Sequence, residues 1–177
     1  MAATGQQLNY REPQTETELQ VLLDRMYSVT IEAKQNGESP RFKGLLEIIS
    51  SEVVILTAVH NIKANRGSET PGSDGETMRS ILEQDYQDVI ARVKDTLMDY
   101  HPAPVRRVYI PKPGKTEKRP LGITAAIDKV IQECVRIVIE PILEAQFFAH
   151  SYGFRPMRDA HMALARVVEV VHQTGYH

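Results

Sequence analysis

The helical spacing of apolar residues in this 177-residue chain changes to a pattern typical of strands once, between residues 101 and 125. Residues 104–111 mix β-branched, aromatic and basic side chains as a strand does, residues 112–115 are typical of a turn, and Lys118–Ile123 returns as a second short strand. The prolines on either side of Lys112 cannot donate to a ladder, so the pair is expected at a sheet edge. One antiparallel β-hairpin among helices predicts a helix-rich α+β fold.

Five stretches have helical periodicity, and they cover residues 16–35, 45–62, 77–100, 126–148 and 158–174. Pro141 is expected to kink the fourth helix or to open a new helix at its first turn. Apolar residues of the last helix are predicted to face inward, namely Leu164, Val167, Val168 and Val171. Residues 1–15 lack periodicity and predict a disordered or loosely attached start.

Residues 65–76 (NRGSETPGSDGE) contain three glycines and a proline among small polar residues, which predicts a flexible loop. Two interpretations remain open for this loop. It is either a mobile segment that closes over a bound partner or a solvated connector between helices.

The net charge of −2 conceals a local basic segment. Residues 106–119 contain six basic residues, and Glu117 is the one acidic residue among them. The six are Arg106, Arg107, Lys112, Lys115, Lys118 and Arg119. Such a segment in a nearly neutral chain indicates an anionic partner at one surface.

Several classes of protein are disfavoured by composition. The lone cysteine, Cys134, excludes a disulfide within the chain and is expected to be a small core residue in a reducing cytosol. The six histidines are scattered without cysteine partners, which argues against zinc. No apolar run approaches the roughly 20 residues that span a bilayer, and the N-terminus has no signal-peptide pattern, so a cytoplasmic location without membrane contact is expected.

Three segments follow one another at close spacing: residues 106–123 (RRVYIPKPGKTEKRPLGI), 128–141 (DKVIQECVRIVIEP) and 151–163 (SYGFRPMRDAHMA). In this order they resemble the first reverse transcriptase blocks of group II intron-encoded proteins, and residues 65–75 resemble an earlier block. The resemblance covers roughly residues 61–177. Thr124, Lys129 and Met157 depart from the Pro, Arg and Gly that are usual in the family.

The resemblance implies the fingers subdomain of a right-hand polymerase over residues 46–177, preceded by an N-terminal extension over residues 1–45. It also implies that the chain stops before the palm strand with the first metal-binding aspartate. The Mg²⁺ ligands of the intact polymerase are thus expected elsewhere, with no catalytic or metal residue here and no polymerase activity from these residues alone. Four aspartates at helical spacing are typical of a solvated face, namely Asp85, Asp88, Asp95 and Asp99.

For the intact protein the resemblance implies RNA-directed DNA synthesis, with intron RNA, template RNA, DNA primer and dNTP as partners in a bacterial cytoplasm. It also implies a role in intron splicing and mobility. By the same resemblance Lys112 and Arg119 are predicted to reach the incoming nucleotide. Residues predicted to contact RNA are Arg106, Arg107, Lys115, Lys118, Tyr152 and Arg155, whereas Phe154 is expected in the core. A basic hairpin tip that only protects a sheet edge is the alternative interpretation.

Three further readings stay open. The chain is either a maturase-like RNA-binding module without polymerase activity or part of another bacterial reverse transcriptase class, such as a retron or CRISPR-associated enzyme. In a third reading, the apolar faces over residues 48–62 and 130–138 form a homodimer.

Overall fold

In a computed structural model, the described residues are 10–65 and 67–175. Within these ranges the chain forms seven α-helices and one two-stranded antiparallel sheet. The elements in chain order are α1 (Glu16–Gln35), α2 (Leu45–Ile49), α3 (Glu52–Lys63), α4 (Met78–Leu82), α5 (Tyr86–Met98), β1 (Arg106–Pro111), β2 (Lys118–Ile123), α6 (Ala126–Gln146) and α7 (Ala160–Thr174). The helix-rich α+β class with one antiparallel hairpin is confirmed, and the assignment to polymerase fingers stays a prediction.

Helix α6 lies at the centre of the core and packs mainly against α1 and α3. Its apolar face is fully buried at Val130, Cys134 and Val138. The predicted core position of Cys134 is confirmed, and burial raises the pKa of its thiol to about 12. Burial of apolar surface stabilises a fold by roughly 25 cal/mol per Å². The buried face of α6 therefore makes this helix central to the stability of the chain.

Helix α1 belongs to the same core as the elements that follow it. Thr15 caps its N-terminus by accepting a 3.2 Å hydrogen bond from the backbone N–H of Glu18. Near the other end, the Lys34 ammonium donates at 3.1–3.4 Å to three carbonyls at the C-terminus of α6, those of Ala145, Gln146 and Phe147. A cation is favourable there because the last carbonyls of a helix carry partial negative charge. The boundary predicted after residue 45 stays a prediction.

Part of the predicted loose start, residues 1–9, lies outside the described residues. The described remainder is attached, in contrast to that prediction. Tyr10 packs against the core and Pro13 is buried.

Two of the predicted helices are each divided in two. The helix expected over residues 45–62 breaks at Ser51, whose hydroxyl donates a 2.7 Å hydrogen bond to the carbonyl of Ile48. The helix expected over residues 77–100 breaks before Asp85, whose carboxylate accepts from the backbone N–H of Gln87 at 2.8 Å. Ser and Asp are favoured at helix ends over helix interiors because their side chains form hydrogen bonds with nearby backbone groups. Apolar periodicity continues across both breaks and therefore concealed them.

Pro141 neither ends α6 nor opens a second helix, because α6 continues from Ala126 to Gln146. A proline inside a helix costs about 3 kcal/mol through the lost hydrogen bond and the ring clash. Val138, Ile142 and Ala145 are buried on both sides of Pro141, and this packing offsets the cost.

The inward face predicted for the last helix is wrong, since α7 has no buried residue. Its exposed apolar residues are Met162, Leu164, Val167, Val168, Val170 and Val171. Conversely, the faces predicted to form a homodimer, over residues 48–62 and 130–138, are largely buried inside the chain. Helix α7 therefore presents a group of exposed apolar side chains to solvent. None of the helices in the described ranges is long and apolar enough to cross a bilayer.

Candidate nucleic-acid interface

The basic segment forms the predicted hairpin, in which Arg106 pairs with Ile123 at the root and Pro111 pairs with Lys118 near the tip. The turn between the strands is closed by the backbone N–H of Lys112, which donates to the carbonyl of Glu117 at 3.1 Å. Gly114 has a φ of 71°, a left-handed conformation that glycine adopts without strain.

The register divides the hairpin into two faces, because directly paired residues point to the same side of a sheet. The inner face consists of Arg106, Val108, Ile110, Arg119, Leu121 and Ile123. The outer face consists of Arg107, Tyr109, Pro111, Lys118, Pro120 and Gly122. Ile123 is buried and Val108 and Ile110 are half-buried, whereas all six residues of the outer face are exposed.

Most of the predicted RNA-binding and nucleotide-binding cations remain accessible. Among the described residues, four exposed cations of the hairpin form no ion pair, namely Arg107, Lys115, Lys118 and Arg119. Lys112 is partly exposed and its ammonium pairs with the Glu117 carboxylate at 2.9 Å. The hairpin thus presents positive charge to solvent, and the roles of its individual residues stay predictions.

Arg106 is used in part within the chain. Its guanidinium donates twice to the carbonyl of Pro71, from Nε at 3.1 Å and from Nη2 at 2.7 Å. This bond ties the root of β1 to the loop predicted to be flexible. The RNA contact predicted for Arg106 stays a prediction, while a positioning role follows from the geometry.

The loop over residues 67–76 is docked in the structure, and Arg66 lies outside the described residues. Besides the bond to Arg106, the Lys129 ammonium donates to the carbonyl of Thr70 at 3.1 Å. The Asp74 carboxylate accepts a 3.0 Å bond from the backbone N–H of Ala126. The described part of the loop is thus anchored to the hairpin root and to the start of α6, and the flexible-loop prediction is wrong for these residues.

Gly72 permits this docking. A Cβ at this position would lie 2.5 Å from the carbonyl oxygen of Thr124 and 2.6 Å from the Cα of Ala125. Real Cβ atoms do not approach backbone so closely, so only glycine fits.

Arg155 has a structural position. Its guanidinium donates from Nε to both Glu144 oxygens at 3.0 Å and from Nη1 to the carbonyls of Phe148 and Ser151 at 2.8 and 2.9 Å. Its side chain is only 6% exposed, and its hydrogen bonds to Glu144 hold the pKa of that carboxyl below its usual range. This position does not suit the RNA contact predicted for Arg155, and the residue instead fixes the turn against α6.

The turn that contains Arg155 differs from expectation at Phe154. This residue was predicted in the core but is fully exposed, and it has a φ of 57°. Met157 is also exposed and has a φ of 56°. Both residues therefore have a left-handed conformation although they carry a Cβ. The half-buried Tyr152 ring lies 5.6 Å from the Arg158 guanidinium carbon, and its RNA contact stays a prediction.

The side chains that could bind a metal ion do not cluster in the described residues. Within residues 10–65 and 67–175, no group of three or more His, Cys, Asp or Glu side chains is placed to hold a metal ion. The expected position of the Mg²⁺ ligands outside these residues stays a prediction.

Comparison with curated proteins identifies relatives of the hairpin-containing region. The group II intron-encoded protein LtrA of Lactococcus lactis subsp. cremoris is 40% identical to the chain over 114 residues, which are 64% of the chain and 19% of LtrA. The chain is homologous to group II intron-encoded proteins. Protein YkfC of Escherichia coli K12 is 37% identical to the chain over 131 residues, which are 73% of the chain and 34% of YkfC.

A more distant relative is an uncharacterized 91 kDa protein in the cob intron of Schizosaccharomyces pombe, 35% identical over 114 residues. No protein-family model matches the chain. This group II intron protein homologue spans between 14% and 34% of the length of the three relatives.

Proposed function

We propose that the chain is the fingers portion of an intron-encoded reverse transcriptase or maturase, and that it holds RNA on its basic hairpin. The observation that carries the proposal is the exposed hairpin charge, with four cations that form no ion pair among the described residues. An unpaired cation on an exposed edge binds phosphate with little loss of existing contacts. The homology to intron-encoded proteins makes intron RNA the natural source of that phosphate.

In the intact protein, the proposal extends to DNA synthesis on an RNA template, with Lys112 and Arg119 at the incoming dNTP. Arg119 suits a triphosphate because its planar guanidinium can bond two phosphate oxygens at once. Carboxylates outside the described residues would hold the magnesium ions, which would stabilise the charge of the transferring phosphate. Assistance to intron splicing and mobility belongs to the same proposal.

The test is a salt titration of binding between the chain and a single-stranded RNA. Each phosphate contact contributes roughly −0.7 to the slope of log affinity against log salt, so the three unpaired cations predicted to contact RNA give a slope of about −2. Alanine at Arg107, Lys115 or Lys118 should each make the slope shallower by about 0.7.

The matched control is Lys63→Ala, which removes an exposed cation at the end of α3, away from the hairpin. It should leave the slope unchanged. An RNA affinity that does not depend on salt, or a slope insensitive to all three hairpin substitutions, would overturn the proposal.

A further inference from the structure

The outer face of the hairpin carries an exposed aromatic ring between two cations. Tyr109 is 60% exposed and pairs with Pro120 across the strands. Arg107 lies two residues towards the root on the same strand, and Lys118 lies two residues towards the tip from Pro120 on the other strand. No acidic residue belongs to this face, because Glu117 lies in the turn and pairs with Lys112.

The spacing suits a single nucleotide unit with its neighbouring phosphates. Residues two apart on one strand face are separated by roughly 6.6 Å, and diagonal cross-strand neighbours by roughly 7–8 Å. A base that stacks on the Tyr109 ring would therefore have a cation on either side of it. Stacking of bases on aromatic rings beside a basic groove is the way proteins bind single strands without sequence preference.

We propose that on this outer face a base of a single-stranded RNA stacks on Tyr109 while Arg107 and Lys118 bind the flanking phosphates. The inference rests on the proposed function and extends it, because Arg119 lies on the inner face. The hairpin then has a nucleotide side and a single-strand side.

The first test compares two ligands, an oligoadenylate RNA and inorganic polyphosphate, which supplies charge without bases. Tyr109→Ala should weaken oligoadenylate binding roughly fivefold or more and leave polyphosphate binding and the RNA salt slope unchanged. Tyr109→Phe keeps the ring and should restore RNA binding. Arg107→Ala and Lys118→Ala should make the slope shallower for both ligands.

The second test uses the absence of tryptophan from the sequence. In Tyr109→Trp, the single indole should be quenched when oligoadenylate stacks on it. Tyr86→Trp is the matched control, since Tyr86 is 57% exposed at the start of α5, and its fluorescence should not change. Circular dichroism of each variant verifies that the fold is retained, which is expected because Tyr109 is exposed.

The outcomes separate this inference from the proposed function. A chain that binds no RNA would overturn both. Salt-dependent RNA binding that is unaffected by Tyr109→Ala, with an unquenched indole at position 109, would overturn only the stacking surface. Equal losses of RNA and polyphosphate binding in Tyr109→Ala would also overturn it, since a stacking contact requires bases.

Discussion

The Asp74 carboxylate accepts a 3.0 Å hydrogen bond from the backbone N–H of Ala126, so a loop residue caps a helix that begins 52 residues later. The residue directly before α6, Ala125, has no side chain that can cap it. The same loop accepts bonds from Arg106 and Lys129. It therefore joins the hairpin root to the central helix of the core.

Replacement of Asp74 by alanine should lower the free energy of unfolding by about 1 kcal/mol, because an orphan N–H of α6 loses its acceptor. Asp74→Asn should retain most of the stability, since asparagine caps helices as well as aspartate does. Urea denaturation of the two variants measures the difference. Equal midpoints for the wild-type chain and Asp74→Ala would show that the bond contributes nothing.

Met157→Gly should stabilise the chain by about 1 kcal/mol, because a left-handed residue with a Cβ is strained and glycine is not. The Met157 side chain is exposed, so little packing is lost. Met157→Ala is the matched control, because it removes the side chain but keeps the Cβ. Thermal denaturation should rank glycine above alanine, and the opposite order would contradict the explanation.

On the proposed function, the double substitution Lys112→Ala and Arg119→Ala should raise the KM for dNTP at least about tenfold in the intact polymerase. This size is expected because hydrogen bonds to charged groups contribute about 1.5–3 kcal/mol each. The fold should be unaffected because both residues are at the exposed end of the hairpin. Steady-state kinetics measure the effect. Lys63→Ala, at the end of α3 and away from the hairpin, is the control and should leave the KM for dNTP unchanged. Unchanged kinetics in the double variant would remove both residues from the nucleotide site.

Leu164→Gln together with Val168→Gln should reduce self-association of the chain. These residues lie on the exposed apolar face of α7, where Leu164 is 64% exposed, and such patches promote association. Stability should change by less than about 0.5 kcal/mol, because surface substitutions remove few contacts. Light scattering across concentration measures the association. Val21→Gln, at a 63% exposed residue of α1, is the control, and an equal effect there would argue against a specific role for α7.

The carboxylate of Glu133 should make stability depend on acid pH. Hydrogen bonds from Arg136 and Asn61 lower its pKa below the ordinary value of 4.5 despite partial burial. Between the lowered pKa of the folded state and the ordinary pKa, the unfolded state therefore binds more protons than the folded state. The stabilisation of the fold by Glu133 is complete above the ordinary pKa and is lost as pH falls through the folded-state pKa. Glu133→Gln should flatten the acid limb of the stability profile. Glu38→Gln, at an exposed residue, should not flatten it, and matching profiles for the two variants would rule out this assignment.

Local patterns in the sequence predicted much of the fold. The strand pair was expected at Lys118–Ile123 and at the end of residues 104–111, as observed, because β-branched residues and a Pro-Gly turn are local signals. Cys134 was expected in the core because apolar neighbours at helical spacing surround it. The division at Asp85 was missed although Asp85 and Asp88 have the spacing of a helix cap and its third residue.

The tertiary contacts of the site could not be predicted from local sequence patterns. The partners of Arg155 and Asp74 lie 11 and 52 residues away, and no short pattern identifies them. An arginine in a polar turn is as compatible with a solvent-exposed side chain as with an internal ion pair. The outward face of α7 was missed for a related reason, since an apolar stripe indicates that a surface is suited to burial but does not identify what covers it.

The fully buried Cys134 is the sole cysteine, so chemical labelling of its thiol can report the opening of the core. A thiol in the centre of α6 with a pKa of about 12 is almost entirely uncharged at neutral pH and has no access to solvent-borne alkylating reagents while the core is closed. Its alkylation rate therefore reports how often the core around α6 is open. Because no second thiol competes, mass spectrometry of the native sequence can follow those events without an engineered label.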